Sequence, residues 1–364
     1  MQKANNLHRF DTDGAGDTTA GIFGLPFDQV ESNIVIIPVP WEATTSYGRG
    51  TAKGPQAVFN ASPQLDLFDA SLGQFGLPRP WEYGIYMLPM SPFLKKLNKM
   101  ACEKSLPIIE QGGEIGDDPK LHKALQVVNQ ASHEVNLWVA SHTKELLDEG
   151  KIVGILGGDH SCPFGAIQEI AERHPGLGIL HIDAHADLRL SYEGFEHSHA
   201  SIMNNVVHKI KNVGKIVQVG IRDFCDSEYE LSQKHPKIKT FFDFQLHNAL
   251  HEGKSWNTIC DEIIAELPKT VYISFDIDGL DPALCPHTGT PVPGGQSYPQ
   301  ILTLMQRLSV SGRKIVGFDL CEVAPAAQKS NEWDGNVGAR ILYKLCGTAL
   351  LSHVYDKKNK NSKK

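Results

Sequence analysis

Short apolar runs recur along the chain, and most of them contain no polar residue at alternate positions. A strand with one face in water needs apolar and polar residues in alternation, whereas a strand buried on both faces needs a continuous apolar run. The clearest strand candidates are Asn33–Pro38, Lys151–Leu156, Leu177–Ile182, Lys215–Val219, Thr270–Phe275 and Lys314–Phe318. These runs predict a parallel sheet that is covered on both of its faces.

Amphipathic stretches lie between the apolar runs and supply the covering layers. The most regular of them are Leu121–Leu147, Pro163–Arg173, Trp256–Leu267, Pro299–Leu308 and Val337–Leu351. When strands alternate with helices, right-handed crossovers place the strands in parallel and the helices on the two faces. The fold class predicted from this alternation is α/β, a three-layer α/β/α doubly wound parallel sheet.

The 364-residue chain shows no internal repeat and no linker that would divide it. We therefore predict an N-terminal extension over residues 1–30, a single α/β domain over 31–353 and a lysine-rich disordered tail over 354–364. The segment 76–116 is punctuated by proline and glycine, and we interpret it as an elaborated loop region with a short helix near Phe93–Lys104.

Composition narrows the classes of function. The formal net charge of -7 disfavours nonspecific nucleic-acid binding and is compatible with a cationic small substrate. The polar N-terminus and the absence of a long apolar run predict a cytoplasmic protein without a membrane partner. The seven cysteines are odd in number and form no CxxC pair, which argues against a disulfide framework.

Polar clusters follow four of the predicted strands directly. They are Gly157–Ser161, Asp183–Asp187, Asp276–Pro282 and Asp319–Glu322. Ligands of open parallel sheets bind at the carboxyl ends of the strands, so these clusters are expected to share one pocket.

The spacing within the clusters predicts a pair of metal ions. Alternate residues of an extended segment face the same way, so four carboxylates can converge with two imidazoles. These six side chains are His160, Asp183, His185, Asp187, Asp276 and Asp278. Oxygen-rich ligands without cysteine favour manganese or magnesium over zinc, and two ions about 3.5–4 Å apart lower the pKa of a shared water. A single DxD or DAHAD segment is often only a turn, but convergence from three strands is hard to explain structurally.

The ordered segments GGDHS (157–161), DAHAD (183–187) and SFDIDGLDP (274–282) resemble the signature motifs of the ureohydrolase (arginase/agmatinase) family. Pro40–Gly48 and Gly112–Asp117 resemble two further segments of that family, so the likeness extends from about Ile34 to Leu351. The resemblance implies an arginase-like fold, two Mn²⁺ ions as cofactors and a homo-oligomer, either a trimer or a hexamer.

The resemblance also distributes the ligands between two ions. It implies that His160, Asp183, Asp187 and Asp276 bind one metal. It implies that His185, Asp183, Asp276 and Asp278 bind the other, with Asp183 and Asp276 bridging.

Catalytic roles are implied for three residues. Asp187 would take the proton of the bridging water, His199 would carry a proton to the leaving amine, and Glu322 would bind the guanidinium. His197 is an alternative to His199, because the residue after His199 is Ala200 where family members often have glycine. Glu322 could instead be an acid near a helix N-terminus.

The resemblance implies release of urea from a small guanidino compound, and the best single prediction is conversion of agmatine to putrescine and urea, a step of polyamine biosynthesis. Thr290, Arg189 and Asp223 are the further candidates for substrate binding, although Arg189 could pair with a neighbouring acid and Thr290 could belong to a plain turn. Arg189 could also anchor a carboxylate, so an arginase, a guanidinobutyrase or a formimidoylglutamase remains an alternative. Glu193 or Glu196 could face a distal ammonium group.

Three other classes compete with this interpretation. A two-metal phosphoesterase would use the same ligands, a non-catalytic relative would have lost a ligand, and a deacetylase-like amidohydrolase would use one zinc. The filled ligand positions and the lack of a phosphate-binding glycine loop disfavour these classes.

Overall fold

The structure is a computed structural model that describes residues 1–5, 7–328 and 330–361. Within these residues, eight parallel strands form one sheet. They are β1 (Ile34–Val39), β2 (Ile85–Met87), β3 (Ile152–Gly157), β4 (Leu177–Ile182), β5 (Val213–Ile221), β6 (Ile238–Phe242), β7 (Thr270–Asp276) and β8 (Lys314–Cys321). The parallel sheet that the apolar runs predict is confirmed.

The order of the strands across the sheet is β2-β1-β3-β8-β7-β4-β5-β6. The four strands that lead into polar clusters, β3, β8, β7 and β4, are therefore direct neighbours at the centre of the sheet. Their pairing keeps their carboxyl ends level, since Ile182 pairs with Phe275 and Asp276 pairs with Cys321. All four polar clusters therefore lie together at the carboxyl ends of the central strands.

Helices cover both faces of the sheet. In chain order they are α1 (Gly54–Ala61), α2 (Ala70–Gly73), α3 (Pro92–Ile109), α4 (Pro119–Asp148), α5 (Phe164–Arg173), α6 (Ile202–Lys209), α7 (Asp226–Lys234), α8 (Asp243–His251), α9 (Trp256–Ala265), α10 (Tyr298–Val310) and α11 (Trp333–Asn361). Among the described residues, no helix combines the length and the apolar character that crossing a bilayer requires.

The alternation of side chains along each strand divides the core between two layers. Ile34 and Ile36 of β1 pack in the cluster that contains residues of α1 and α9–α11, whereas Val35 and Ile37 pack in the cluster built with α3–α5. All six residues of β1 are buried. Burial on both faces explains why these strands have continuous apolar sequences, and it confirms the predicted α/β/α layering.

The segment 76–116 is more regular than the sequence predicts. It contains β2, which pairs with β1 through Ile34 and Ile85, and the predicted short helix extends from Pro92 to Ile109. Ser91 caps this helix by accepting a hydrogen bond from the Leu94 amide, and Pro92 stands at a position where its missing N–H is not needed. The prediction of a mainly looped segment was wrong because a strand of three residues is too short to give a recognisable sequence pattern.

The two ends of the chain relate differently to the predicted boundaries. Ile22, Phe23, Leu25 and Phe27 lie within the predicted extension 1–30, yet all four are buried in the main core. Helix α11 extends into the segment 354–364 for which disorder is predicted, and residues 362–364 lie outside the described residues. All seven cysteines are free, as the sequence predicts.

A buried ion pair joins α11 to the start of α2. Lys344 Nζ lies 2.6 Å from Asp69 Oδ2, and Asp69 Oδ1 accepts a hydrogen bond from the Leu72 amide. Burial opposes ionisation of Asp69, but the hydrogen bonds from Lys344 and Ser71 outweigh it and lower the pKa of the carboxyl. A lowered folded-state pKa stabilises the protein above the unfolded pKa, near 4, and this stabilisation disappears as the pH falls through the folded value.

We predict that Asp69→Asn lowers the free energy of unfolding by about 2 kcal/mol at pH 7, because Lys344 loses its charged partner. The difference from the wild type should shrink as the pH falls below about 4, as measured by urea unfolding at several pH values. Asp261→Asn is the matched control, since Asp261 is exposed beside Arg307 and such pairs contribute below about 1 kcal/mol. Equal effects of the two substitutions would contradict the prediction.

Candidate metal centre and adjoining cavity

One nitrogen of His160 faces three carboxylates. Its Nδ1 lies 3.0 Å from Asp183 Oδ2, 3.2 Å from Asp187 Oδ2 and 3.3 Å from Asp276 Oδ2. Its other nitrogen, Nε2, lies 2.9 Å from the Ser274 hydroxyl. All four side chains are buried. This is the ligand set predicted for one metal, gathered around one point.

A second group forms around His185. Its Nδ1 lies 3.1 Å from Asp278 Oδ2 and 3.5 Å from Asp183 Oδ1. Asp183 therefore presents one oxygen to each group, as expected of a bridging ligand. Asp276 is less evenly shared, because its Oδ1 accepts the Asp278 amide at 2.9 Å while its Oδ2 faces His160.

The residues fit a pair of divalent cations. A single proton on His160 Nδ1 cannot make good hydrogen bonds to three carboxylate oxygens at once, whereas one cation can contact all four atoms. Burial raises the pKa of the Asp276 carboxyl well above its usual value, and the neighbouring Asp278 and Asp183 raise it further. Burial and the neighbouring Asp183 also raise the pKa of the Asp187 carboxyl. Bound cations would remove this repulsion.

The backbone is strained where two of these carboxylates enter the site. Asp187 and Glu322 have φ values of 53° and 63°, in the left-handed region that residues other than glycine rarely occupy. The Asp187 carbonyl accepts the amides of Met203 and Asn204, and Glu322 donates its amide to Gly158 O. Such conformations persist where the surroundings fix them, and they cluster at functional sites.

Glycine is required beside the first ligand. A Cβ on Gly158 would lie 1.8 Å from the Trp41 carbonyl oxygen. This close approach lets the Gly158 amide donate to Val39 O and the Asp159 amide to Trp41 O. The GGDHS segment is thus held against the loop after β1, which fixes the direction of His160.

Glu322 lies beside the cluster with one oxygen occupied and the other without a partner. Its Oε1 accepts the His160 amide at 2.9 Å and lies 3.3 Å from His199 Nδ1. Its Oε2 is buried and has no hydrogen-bond partner among the described residues. A buried carboxylate oxygen without a donor is costly, so this atom is a candidate binding point for a ligand that donates hydrogen bonds.

His199 and His197 have different surroundings. His199 borders the cavity, with Nε2 3.2 Å from Ser46 Oγ, whereas His197 Nδ1 contacts the side-chain amide of Asn136 on α4. Burial alone would lower the pKa of His199, but Glu322 raises it to about 9. Burial lowers the pKa of His197 to about 4. Of the two, only His199 lies where it can reach a bound ligand.

A cavity of about 150 Å³ opens from the cluster to the surface. Its lining includes Ser46, His185, Asp187, Arg189, Tyr192, His199, Asp223, Phe224, Glu228, Asp276 and Thr290. Glu193 and Glu196, which the sequence suggests as partners of a distal ammonium, do not border it, and Glu322 lies behind His199 rather than in the lining. A larger groove of about 1120 Å³ lies beside Gly289, and its lining in the described residues includes none of the six predicted ligands.

Charged side chains at the rim of the cavity are partly paired. Arg189 Nε lies 3.5 Å from Glu228 Oε2, and its guanidinium stacks 4.6 Å from the centre of the Tyr192 ring. Asp223 is the acid at the opening, with its side chain 67% exposed. The neighbouring Arg222 donates to backbone carbonyls, including Asp278 O at 2.6 Å, and so has a structural role. Thr290 Oγ1 reaches Asp278 Oδ2 at 3.5 Å.

Several residues of the site carried no functional prediction. Thr44 and Ser46 contact the His199 amide and ring, and Asp159 accepts from Thr44 at 3.1 Å. His181 lies 2.8 Å from Asp183. The sequence contained one signal for His181. It lies two residues before Asp183, and alternate residues of an extended segment project from the same side. Thr44 and Ser46 belong to the segment Pro40–Gly48 that resembles the family, but their contacts with His199 depend on chain folding.

The family model described as the arginase family matches residues 32–347 of the chain. The chain is 32% identical to an N(1)-aminopropylagmatine ureohydrolase of Thermus thermophilus over 318 residues, which cover 87% of this chain and 90% of the relative. It is 28% identical to the agmatinase of Bacillus anthracis, covering 83% and 87% of the two chains. The crystal structure of a hypothetical agmatinase from Burkholderia thailandensis has the same fold, with a TM-score of 0.69, 23% identity and 96% coverage of each chain.

We predict that Mn²⁺ raises the thermal unfolding midpoint of the metal-stripped protein at pH 7.5, because the cations remove repulsion among buried carboxylates. Asp276→Asn should bind fewer than two Mn²⁺ per chain and show a smaller increase, as measured by elemental analysis and differential scanning fluorimetry. Asp281→Asn, in the same segment but exposed, is the control and should behave as the wild type. Full metal content in Asp276→Asn would refute the assignment.

Proposed function

The chain belongs to the arginase family, and within it we propose that the chain hydrolyses a small guanidino compound to urea and an amine, with agmatine as the substrate. The unpartnered Oε2 of Glu322 carries this proposal. A planar guanidinium presents paired N–H donors that suit a carboxylate, and it would satisfy the buried oxygen beside the metal ligands. A phosphate ester would bring negative charge to the same atom and would be repelled.

We propose that the cofactors are two Mn²⁺ ions. His160, Asp183, Asp187 and Asp276 would hold one, and His185, Asp183, Asp276 and Asp278 the other. Oxygen-rich ligands suit manganese better than zinc. When bound, the metal pair would supply hydroxide at neutral pH by lowering the pKa of water.

Side chains around the proposed metal ligands would bind the substrate and transfer protons. Glu322 would hold the guanidinium so that its carbon faces the metal pair. Asp187, at the junction of cluster and cavity, would accept the proton of the attacking water. His199 would donate a proton to the departing amine, since its ring borders the cavity and lies 3.3 Å from Glu322. Thr290, which also borders the cavity, would contact the substrate.

Charges at the rim favour a substrate with a distal cation. Arg189 already lies beside Glu228 and Tyr192, so a substrate carboxylate would have to compete with Glu228 for it. Asp223 is exposed at the opening and would attract an ammonium group. Agmatine has such a group, whereas the substrates of an arginase, a guanidinobutyrase or a formimidoylglutamase carry a carboxylate that requires an anion-binding partner.

A longer substrate of the same charge type is the second candidate. The relative from Thermus thermophilus, at 32% identity, is named for N(1)-aminopropylagmatine, which extends agmatine by an aminopropyl group. The cavity opens to solvent beside Asp223, so an extension would continue outward from the same rim. A cytoplasmic location, a role in polyamine biosynthesis and assembly into a trimer or hexamer remain predictions from the sequence.

The competing classes fit these residues less well. A one-zinc amidohydrolase would not need two groups of ligands around His160 and His185. A two-metal phosphoesterase would need free cations in the cavity, but Arg189, the one arginine in its lining within the described residues, faces Glu228. A non-catalytic relative would have lost a ligand, whereas the chain keeps all six.

We predict that Glu322→Gln lowers kcat/KM for agmatine by about 10²–10³-fold, because a charge-assisted contact to the guanidinium is lost. The assay is urea release from the Mn²⁺-loaded protein. Glu332→Gln is the matched control, since Glu332 is exposed on the larger groove and should keep normal activity. Normal activity of Glu322→Gln would exclude its role in substrate binding.

A substrate panel tests the distal subsite. Agmatine should give urea faster than butylguanidine, guanidinobutyrate or arginine at equal concentration. Asp223→Asn should raise KM for agmatine about 10-fold by weakening attraction to its ammonium group, while KM for butylguanidine should change little. Activity restricted to arginine would overturn the agmatine proposal, and a panel that includes N(1)-aminopropylagmatine decides between the two cationic candidates.

A further inference from the structure

A row of buried polar side chains crosses five neighbouring strands just below the candidate metal centre. Its members, in order across β8, β7, β4, β5 and β6, are Asp319, Ser274, His181, Gln218 and Thr240. Each is the lateral partner of the next in the parallel register, so all five project from the same side of the sheet. Buried polar groups are costly without hydrogen bonds, and such a row in an apolar sheet calls for an explanation.

The orientation of the Gln218 amide is fixed by its neighbours. One of its atoms lies 2.7 Å from the Ala186 carbonyl oxygen, which can only accept, so that atom must be the Nε2 donor. The Thr240 hydroxyl donates to Gln218 Oε1 at 2.8 Å, which agrees with the same orientation. Gln218 Nε2 also lies 3.0 Å from His181 Nδ1.

This orientation determines where His181 carries its proton. Because Gln218 Nε2 donates, His181 Nδ1 must accept, and the ring carries its proton on Nε2. That Nε2–H points at Asp183 Oδ2, 2.8 Å away. A protonated nitrogen cannot bind a metal ion, so His181 is not a ligand although it lies within the cluster of potential ligand atoms.

We propose that His181 is a positioning residue that fixes the bridging carboxylate Asp183, and that Gln218 and Thr240 select the tautomer it needs for this. Asp183 is then held from both sides: its Oδ1 accepts the His185 amide at 2.6 Å and its Oδ2 accepts the His181 proton. The carboxylate cannot rotate, and each oxygen stays directed at one of the two ligand groups.

The same row orients a second ligand. Ser274, the lateral neighbour of His181, lies 2.9 Å from His160 Nε2. A proton on Nε2 donates to this hydroxyl and leaves Nδ1 free for the cation that the three carboxylate oxygens would share. Partners of this kind hold ligand direction, and their loss typically weakens metal affinity by about 10–100-fold. The inference rests on the proposed metal site and is independent of the substrate.

The test measures Mn²⁺ affinity by competition with a chelating indicator. Gln218→Met and Thr240→Val each remove hydrogen bonding with little change of volume, and Gln218→Met should lower affinity about 10-fold or more, with a smaller loss for Thr240→Val. His181→Phe should lower affinity about 10–100-fold, and His181→Gln, which keeps an N–H donor, should recover part of it. The double variant His181→Phe/Gln218→Met should be no weaker than His181→Phe, because Gln218 acts through His181.

Two control variants separate this role from a general loss of packing. Thr143→Val alters a buried threonine on α4 that has no side-chain hydrogen bond among the described residues, and Gln306→Met removes an amide that donates to Ser71 O. Both should keep wild-type Mn²⁺ affinity. Thermal unfolding of each variant verifies that it is folded.

The outcomes distinguish this inference from the metal site itself. If the wild type binds two Mn²⁺ and Gln218→Met binds them with unchanged or higher affinity, His181 does not position Asp183 through Gln218, and the inference is overturned. If Gln218→Met keeps its Mn²⁺ affinity while His181→Phe loses one Mn²⁺, His181 is itself a ligand, which also overturns the inference. A wild-type chain that binds no Mn²⁺ would overturn the metal site and this inference with it.

Discussion

Repulsion among buried carboxylates is the constraint on which the site depends. Four aspartates converge on two histidines in a region that excludes most water, and burial raises the pKa of Asp276 and Asp187. Such an arrangement would destabilise the fold by itself unless cations were bound or protons taken up. The arrangement is therefore best explained by the ions it would bind. The strained backbone at Asp187 and Glu322 agrees with this, since strain is retained where function requires a particular direction.

The sheet provides the rigidity that such a site needs. Its four central strands end at one level, so ligands that are far apart in sequence meet without long loops. Apolar side chains fill most of both faces, and the polar row from Asp319 to Thr240 lies just below the ligands. His160 and Asp183, two of the candidate ligands, are thus hydrogen-bonded to side chains that belong to strands. Support from strands holds side chains more precisely than support from loops.

The sequence predicted the parallel sheet, the layering and the convergence of the six candidate ligands because these follow from periodicity and from motifs at strand ends. It did not predict β2 or β6. The first has only three residues, and the second is an edge strand that alternates buried and exposed positions, in contrast to the continuous apolar runs. It also gave no functional role to Thr44, Ser46 or the partners of His181. Lateral neighbours such as His181 and Gln218 are 37 residues apart and become visible only through strand register.

The residues that would select the substrate differ from those that would carry out hydrolysis. The candidate ligands and Glu322 are buried except for the half-buried His185, and their geometry follows from the sheet, so the reacting end of any guanidino substrate would meet the same surroundings. The distal end would meet side chains on two separate loops, where Arg189 lies beside Glu228 and Asp223 remains exposed. A sequence motif can show that an arginine follows DAHAD, but not that an acid 39 residues later lies beside it. The proposal of a cationic substrate therefore depends on charges at this rim, with Asp223 exposed there and Arg189 Nε 3.5 Å from Glu228 Oε2.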